Sequence, residues 1–432
     1  MDHITRVRIQ NVRAIASLEL ELSKGLTVLI GENGAGKSTI LECLELLRRA
    51  AEPNFLSQFY EIHRGMPALL RKGATSLTLG VTVEDDAGDL PRLDYDLTLS
   101  KQGAGASIAK EKLTTTSNDP VRTPDSILAR SSDELVIRTG PPEEETILDL
   151  IGGYEVGFRP IGTADRVSLF LQKHPPNALQ PSIDRLVAVL ASIEVHLGFD
   201  THASWAARAY QRPESLRVGT THRPASRLSL LGSNLANAWS ELRNQSSTHW
   251  DHSLALVRLG LGERVDGVVT LPDAGGGNIH LALRFKGLDE PIFATDLSDG
   301  QLSWLAFVAM TRLNQGRSLL AIDEPELHMH PALLGGVMTL LKELNAPVLL
   351  ATHADQVLEL VDDPVDALRV CSLEHDGRVS VSRLDAATMP RWLEEFGDLG
   401  RLRASGYLPQ VLQAETAPPA PQFPEGPEGV KS

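Results

Sequence analysis

The chain has 432 residues, a formal net charge of −15 and 42% hydrophobic side chains, enough for two or three domains or for one large domain with an insertion. The acidic balance argues against a protein coated with basic surface for tight non-specific DNA binding, but it leaves room for a local basic groove. Two cysteines, Cys43 and Cys371, exclude a disulfide scaffold and fit a reducing compartment. No apolar signal region or run of about 20 apolar residues occurs, so we expect a cytoplasmic protein without membrane contact.

Three strands and a helix are predicted at the start of the chain. Residues 4–9 and 16–22 alternate apolar and polar side chains, as half-exposed antiparallel strands do. Residues 26–30 form a largely apolar run, which is typical of a parallel strand buried on both faces. Residues 39–49 then place their apolar side chains on one helical face.

A glycine-rich loop joins the third strand to this helix. It reads Gly31-Glu32-Asn33-Gly34-Ala35-Gly36-Lys37-Ser38 and is followed by Thr39. A loop in this context is a phosphate-binding P-loop, because glycine frees backbone N–H groups to point inward and the helix N-terminus adds its positive dipole end. We therefore predict that Lys37 reaches the β- and γ-phosphates of ATP and that Ser38 ligates Mg²⁺. The predicted nucleotide contacts in this loop are Gly31, Asn33, Gly34, Ala35, Gly36, Lys37, Ser38 and Thr39.

The middle of the chain carries less regular patterns. Residues 75–100 alternate like a hairpin, whereas residues 101–145 are polar, rich in Ser, Thr, Pro and Asp, and are predicted to be irregular. Helical patterns return at 181–197 and 230–262, and strand-like alternation at 265–285. Five arginines also occur here, and scattered solvated charges are their simplest interpretation. They are Arg208, Arg212, Arg217, Arg223 and Arg227.

A second loop, Leu297-Ser298-Asp299-Gly300-Gln301, precedes another predicted helix. A serine hydroxyl and a glycine amide at a helix N-terminus form an anion site, so Ser298, Gly300 and Gln301 are predicted nucleotide contacts. The alternative is purely structural, with Ser298 as the N-cap of the helix and Asp299 in its first turn.

Two further strands end in polar side chains. Asp323 follows the apolar run 319–322, so it lies at the carboxyl end of a buried strand and can hold Mg²⁺ there. Glu324 is then placed to polarise the water that attacks ATP. His353 ends the next apolar strand, where it can hydrogen-bond the γ-phosphate or merely cap the strand. The predicted catalytic residues are Lys37, Glu324 and His353, and the predicted Mg²⁺ ligands are Ser38 and Asp323.

These motifs resemble those of the ABC-type ATPases of the SMC, RecF and OLD group. The matching segments are Ile9-Gln10-Asn11-Val12-Arg13, the P-loop, the signature loop Leu297 to Gln301, the acidic run Asp323-Glu324-Pro325-Glu326-Leu327-His328-Met329-His330-Pro331, and Thr352-His353. The resemblance implies an α/β P-loop NTPase head of ABC type, with an antiparallel β lobe and a mostly helical insertion. It also implies that ATP and Mg²⁺ are sandwiched in a homodimer or higher homo-oligomer, where Ser298 and Gly300 of one subunit face the P-loop of its mate.

The chain departs from the family pattern in two places. Asp299 stands where transporters usually have glycine, and the Q-loop glutamine has no assigned position, Gln58 being one candidate. Lys37 and Ser298 are 261 residues apart, which argues against a transporter motor. The 79 residues that follow His353 are too few for the Toprim nuclease domain of OLD proteins, so no intrinsic nuclease activity is expected.

We predict four segments: the halves of the ATPase head at 1–100 and 270–410, an insertion at 101–269, and a disordered proline-rich tail at 411–432. The predicted function is a Mg-ATP-dependent ATPase that dimerises head to head and switches a separate effector protein or DNA, in anti-phage defence or genome maintenance. Two alternatives stay open. One is a nucleotide-gated scaffold with negligible hydrolysis, and the other is a RecF-like DNA-repair ATPase.

Overall fold

The computed structural model describes most of the chain. The described residues are all except 53–54, 57–58, 60–64, 104, 117–125, 132–133, 140–144, 150–179, 203–214, 274, 314–315, 328, 388–398, 405–411 and 415–432. None of the helices in the described part is long and apolar enough to cross a bilayer. The candidate Q-loop residue Gln58 lies outside the described residues, as do residues 411 and 415–432 of the predicted disordered tail. Residues 412–414 of that predicted tail form a strand instead, because they pair with another strand of the head.

The first layer is an eight-stranded antiparallel sheet with the order β2-β1-β4-β5-β6-β7-β8-β9. Its strands are β1 Asp2–Val12, β2 Ile15–Glu21, β4 Ser76–Asp85, β5 Arg92–Gln102, β6 Gly105–Thr116, β7 Ser126–Ser131, β8 Glu134–Thr139 and β9 Glu145–Asp149. The predicted hairpin at 75–100 is confirmed. The prediction of irregular structure at 101–145 is wrong where the structure describes it, because a strand that buries only alternate side chains tolerates a polar composition.

The second layer is a seven-stranded sheet with the order β10-β15-β16-β3-β17-β18-β19, and its first five strands are parallel. These strands are β3 Leu26–Gly31, β10 Ile193–His196, β15 Leu319–Asp323, β16 Val348–Thr352, β17 Leu368–Leu373, β18 Val379–Leu384 and β19 Leu412–Ala414. Ile30 pairs with Thr352, and Asp323 pairs with Ala351. The carboxyl ends of β3, β15 and β16 therefore meet at one edge of the sheet.

A small third sheet and the helices complete the described fold. The sheet has the order β11-β13-β12, with β14 also paired to β13. Its strands are β11 Thr220–Thr221, β12 Val265–Pro272, β13 Asn278–Phe285 and β14 Ile292–Phe293. The helices are α1 Lys37–Ala50, α2 Met66–Leu69, α3 Gln180–Ala191, α4 Leu235–Asn244, α5 Ser247–Leu261, α6 Asp299–Leu313, α7 Pro331–Lys342, α8 Asp355–Leu358, α9 Pro364–Ala367 and α10 Leu399–Ala404.

The seven-stranded sheet separates two hydrophobic clusters, because alternate side chains of its buried strands point to opposite faces. Leu29 and Leu349 belong to the cluster that contains α1 and the antiparallel sheet. Val28 and Leu350 belong to the cluster that contains α4, α6 and α7. The helix after the P-loop and the helix after the signature loop thus pack on opposite faces of one sheet.

The predicted helix at 181–197 ends early. Helix α3 stops at Ala191, and Ile193–His196 forms β10, which pairs with β15 in parallel. The β-branched Ile193 and Val195 favour a strand, and β15 supplies a partner that lies far away in the sequence. The segment predicted as an insertion therefore adds a strand to the head, and the boundary predicted at residue 100 falls inside β5. The four-segment division stays a proposal.

Trp304 of α6 lies between glycines of two neighbouring helices. A Cβ atom would lie 2.2 Å from the Trp304 ring if placed on Gly260 of α5, and 2.8 Å from it on Gly336 of α7. The ring is 1% exposed, and its Nε1 donates to the carbonyl oxygen of Leu256 at 3.1 Å. The three helices can approach this closely because no side chain stands between the ring and either glycine backbone.

We expect Gly336→Ala to lower the free energy of unfolding by about 1–3 kcal/mol, because the added methyl group overpacks the Trp304 site. The neighbouring Gly335→Ala is the matched control, since no heavy atom lies within 4 Å of the added Cβ. That variant should gain up to about 1 kcal/mol from the better helix propensity of alanine. Urea unfolding of both proteins measures the difference, and equal effects would contradict the packing argument.

Candidate active site

The P-loop leaves β3 at Gly31 and enters α1 at Lys37. Gly34 and Gly36 have φ angles of 85° and 88°, in the left-handed region that glycine adopts readily. Gly31 is required for another reason, because a Cβ atom there would lie 2.2 Å from the carbonyl oxygen of Cys371 in β17. A larger residue at any of these three positions would reshape the loop.

Lys37 is held inside the loop. Its side chain is 6% exposed, and Nζ donates to the carbonyl oxygens of Gly31 at 2.7 Å and Glu32 at 3.0 Å. The ammonium group thus lies within the loop, at the N-terminus of α1. A positive charge beside the amide end of a helix suits an anionic phosphate.

The other predicted loop contacts differ in their exposure. Asn33, Gly34 and Ser38 are exposed, whereas Ala35 is buried and donates its backbone N–H to the carbonyl oxygen of Glu32 at 3.2 Å. Gly36 and Thr39 are half-buried. The exposed members can meet a ligand directly, and the buried alanine supports the turn beneath them.

Asp323, the last residue of β15, lies beside the Ser38 side chain of the P-loop. Burial raises the pKa of Asp323, the Ser38 hydroxyl opposes that shift, and the charge of Glu324 adds to it. The buried Oδ1 of Asp323 has no hydrogen-bond partner in the described part of the structure. A hydroxyl and a carboxylate with an unsatisfied oxygen fit Mg²⁺, which prefers oxygen ligands.

Glu324 and His353 face each other beside this pair. Glu324 has a φ angle of 49°, which costs about 1–3 kcal/mol in a residue other than glycine, and its N–H donates to the carbonyl oxygen of Ala351 at 2.7 Å. Its Oε1 lies 3.1 Å from His353 Nδ1. The two side chains are 33% and 48% exposed, so both remain accessible to a substrate and to water.

Glu326 joins this cluster, although the sequence assigned no role to it. Its Oε1 accepts a hydrogen bond from Thr352 Oγ1 at 2.6 Å and lies 3.7 Å from His353 Nδ1. Its Oε2 is buried, and no described residue hydrogen-bonds to it. The sequence placed Glu326 in the acidic run after β15, but the turn that brings it back to the end of β16 could not be read from the sequence.

The signature loop forms a second cluster, at the N-terminus of α6. Gln301 donates its N–H to Ser298 Oγ at 3.3 Å, and Ser298 donates its N–H to Gln301 Oε1 at 2.9 Å. This is a capping box, so the structural interpretation of Ser298 as a helix cap is confirmed. Gly300 lies in the first turn of α6. An anion site at these residues stays a prediction.

Arg217 also belongs to the second cluster. Its side chain is 8% exposed, and its guanidinium group hydrogen-bonds to the signature loop and to Asp299. The interpretation of the five arginines as scattered solvated charges is therefore wrong for Arg217. Arg208 and Arg212 lie outside the described residues.

Comparison with known proteins identifies similar chains. A family model described as "AAA domain, putative AbiEii toxin, Type IV TA system" matches residues 26–359. A DNA double-strand break repair Rad50 ATPase from Methanopyrus kandleri is 51% identical over 43 residues, which are 10% of this chain and 5% of the relative. A DNA replication and repair protein RecF from Bifidobacterium adolescentis is 25% identical over 203 residues, or 45% of this chain and 47% of the relative. The chain thus spans less than half the length of these two relatives.

Among solved structures, the chain is similar to an SMC head crystallised with the C-winged helix domain of ScpA. The superposition has a TM-score of 0.51 and 12% sequence identity, and it covers 90% of this chain and 99% of the SMC head. At this identity the likeness concerns the fold alone.

Proposed function

The chain belongs to this family of AAA domains, and from that premise we propose that it is a Mg-ATP-dependent ATPase whose heads dimerise around ATP. Its α/β P-loop NTPase fold, with an antiparallel sheet and helices, agrees with the predicted fold class, and its SMC- and RecF-like class is confirmed. One observation carries the proposal: polar and charged side chains of three separate segments meet at one edge of the parallel sheet. They are Lys37, Ser38, Asp323, Glu324 and His353.

Nucleotide binding would rest on the P-loop. Lys37 and the inward-pointing amides at the start of α1 would bind the phosphates of ATP. Ser38 and Asp323 would hold Mg²⁺, which when bound neutralises phosphate charge. The Ser38 hydroxyl and the Asp323 carboxylate already lie beside each other without the metal.

Hydrolysis would rest on Glu324 and His353. The Glu324 carboxylate accepts a hydrogen bond from the water that attacks the γ-phosphorus, and the bond from this phosphorus to the β–γ bridging oxygen breaks. The products are ADP and inorganic phosphate, with the surplus proton released to solvent. His353, 3.1 Å from Glu324, would orient the carboxylate and hydrogen-bond the γ-phosphate.

Dimerisation would bring the signature loop to the nucleotide. Helices α1 and α6 lie on opposite faces of the seven-stranded sheet, so within one chain the P-loop and the signature loop are separated across it. In a head-to-head dimer, Ser298 and Gly300 of one subunit would face the P-loop of the other. ATP would then control the assembly of the two heads.

The ATP-controlled assembly of the two heads would act on a separate effector protein or on DNA. The Rad50 and RecF relatives are named for DNA break repair and for DNA replication and repair, which favours genome maintenance. The family description names a toxin of a toxin–antitoxin system, which favours a role in defence. In either setting, the proposed ATP-driven change of assembly would be the switch.

The test is the molar mass of the Glu324→Gln protein by light scattering, with and without Mg-ATP. The amide keeps the size of the side chain but loses its charge and its basicity, so ATP turnover should fall by about 100-fold or more. The ATP-bound dimer should then accumulate, and the measured mass should double. Unchanged turnover would remove Glu324 from the mechanism.

Two controls accompany this measurement. Glu343→Gln makes the same change at an exposed carboxylate after α7, and it should leave both turnover and mass unaffected. Adding Ser298→Arg to the Glu324→Gln protein should keep it monomeric in Mg-ATP, since a bulky cation would block the signature loop. A protein that binds ATP without a change in mass would contradict the dimer, and a wild-type protein without turnover would favour the scaffold.

A further inference from the structure

Arg217 is buried beneath the signature loop. Its Nη1 donates to the carbonyl oxygens of Ala294 at 3.1 Å, Thr295 at 3.2 Å and Leu297 at 2.5 Å. Its Nη2 donates to Asp299 Oδ1. One guanidinium group therefore holds both the chain that leads into the signature loop and a side chain of the loop itself.

The position of Arg217 is fixed from the other side by the segment after β10. Its Nε donates to the carbonyl oxygen of Thr201 at 2.7 Å. The backbone N–H of Leu216 donates to the carbonyl oxygen of Asp200 at 2.8 Å. Since β10 pairs with β15, these contacts join the signature loop to the strand pair that ends in Asp323.

Ser298 lies between the two groups that Arg217 holds, the Leu297 carbonyl and the Asp299 carboxylate. In a trans peptide the carbonyl of Leu297 and the N–H of Ser298 point in opposite directions. By holding that carbonyl, Arg217 fixes the plane of the peptide that enters Ser298. The Ser298–Gln301 capping box already begins α6, so the helix itself does not need this arginine.

Arg217 also has an electrostatic role, which is to neutralise the Asp299 carboxylate. Asp299 lies in the first turn of α6, and its side chain is 46% exposed. An uncompensated carboxylate beside the phosphates of ATP would repel them. The ion pair with Arg217 offsets that charge, so the aspartate and the arginine work as a pair.

We propose that Arg217 is a positioning residue for the nucleotide of the second subunit. It presents Ser298 in a fixed orientation and neutralises Asp299, so that the signature loop can close on ATP bound by the mate. This role rests on the proposed function, since it requires the signature loop to act across the dimer.

The test places Arg217→Ala in the Glu324→Gln protein and measures two quantities. The dissociation constant of the Mg-ATP dimer, from light scattering against protein concentration, should rise by about tenfold or more. The affinity of the dilute monomer for a fluorescent ATP analogue should change by less than about twofold, because the P-loop is untouched. In the protein with Glu324 intact, Arg217→Ala should lower kcat by about the same factor by which it raises the dissociation constant of the dimer.

Two further variants separate positioning from folding. Arg217→Lys keeps the charge but not the set of hydrogen bonds, so its dimerisation should be intermediate. Removing Asp299 in addition, as Arg217→Ala with Asp299→Ala, should recover part of the dimerisation, because the carboxylate that Arg217 neutralised is gone. If Arg217→Ala does not fold, the dimerisation of the two single variants Arg217→Lys and Asp299→Ala is measured in its place. The matched control is Arg243→Ala, at an exposed arginine of α4, which should change nothing.

Different failures point to different conclusions. If Arg217→Ala dimerises as well as Arg243→Ala, or if it loses ATP binding as much as dimerisation, the positioning role is overturned while the proposed ATPase stands. If the Glu324→Gln parent does not dimerise in Mg-ATP, the dimer of the proposed function and this inference fall together.

Discussion

Lys37→Ala is expected to lower kcat/KM for ATP hydrolysis by roughly 30- to 5,000-fold. The Lys37 ammonium is 6% exposed and lies within the P-loop, 2.7 Å from the carbonyl oxygen of Gly31. Its loss removes a buried positive charge from the site where the phosphates would bind, which costs about 2–5 kcal/mol. Phosphate release against ATP concentration gives kcat/KM, and titration with a fluorescent ATP analogue gives the affinity.

The matched control is Lys342→Ala. Lys342 also pairs with an oxygen, Asp362 Oδ2 at 2.7 Å, but this ion pair is at the surface, where such pairs contribute about 0–1 kcal/mol. Its ATP affinity and kcat/KM should stay within about twofold of the wild-type values. A Lys37→Ala protein that matches the control would show that the phosphates bind elsewhere.

The active-site residues that were predicted from the sequence share one property, which is that short, local sequence patterns determine their positions. Strand β3, the glycines and α1 follow one another in the chain, so the position of Lys37 could be predicted without knowledge of the rest of the fold. Asp323 ends the apolar strand β15 and His353 directly follows the apolar strand β16, and parallel strands bring such ends to one edge. The proximity of Asp323 to Ser38 and of His353 to Glu324 agrees with that rule.

The residues that the sequence missed depend on long-range contacts. Glu326 reaches Thr352 only because the chain turns back after β15, at a residue with positive φ. Arg217 reaches Asp299 across 82 positions of the chain, and an arginine in a polar stretch has no pattern that distinguishes burial from exposure. Strand β10 was not predicted for a similar reason, because Ile193 continues the apolar pattern of α3 and only the pairing with β15 makes this segment a strand.

A buried ion-pair cluster joins β10 to the residues just before β15. Glu194 and Arg317 are each 2% exposed, and Glu194 Oε2 lies 3.1 Å from Arg317 Nε. The other carboxylate oxygen of Glu194 lies 2.8 Å from Nε2 of His196, which is 0% exposed. Burial lowers the pKa of Arg317, and the charge of Glu194 opposes that shift. The carboxylate thus offsets part of the cost of burying the guanidinium group.

We therefore expect Glu194→Ala to lower the free energy of unfolding by about 3–5 kcal/mol, because it leaves the Arg317 charge buried without its carboxylate. That is a large part of the 5–15 kcal/mol typical of folded proteins. Adding Arg317→Met should recover most of the loss, since a buried ion pair replaced by apolar side chains is often neutral in stability. Urea unfolding of the single and double variants measures both effects.

Asp362→Ala is the matched control for this experiment, because it breaks an ion pair whose carboxylate is 83% exposed. It should change the free energy of unfolding by no more than about 1 kcal/mol. A Glu194→Ala loss as small as the control would mean that water or a neighbouring group solvates Arg317 once the carboxylate is gone. A double variant as unstable as Glu194→Ala would mean that the carboxylate stabilises β10 through His196 rather than by pairing with the arginine.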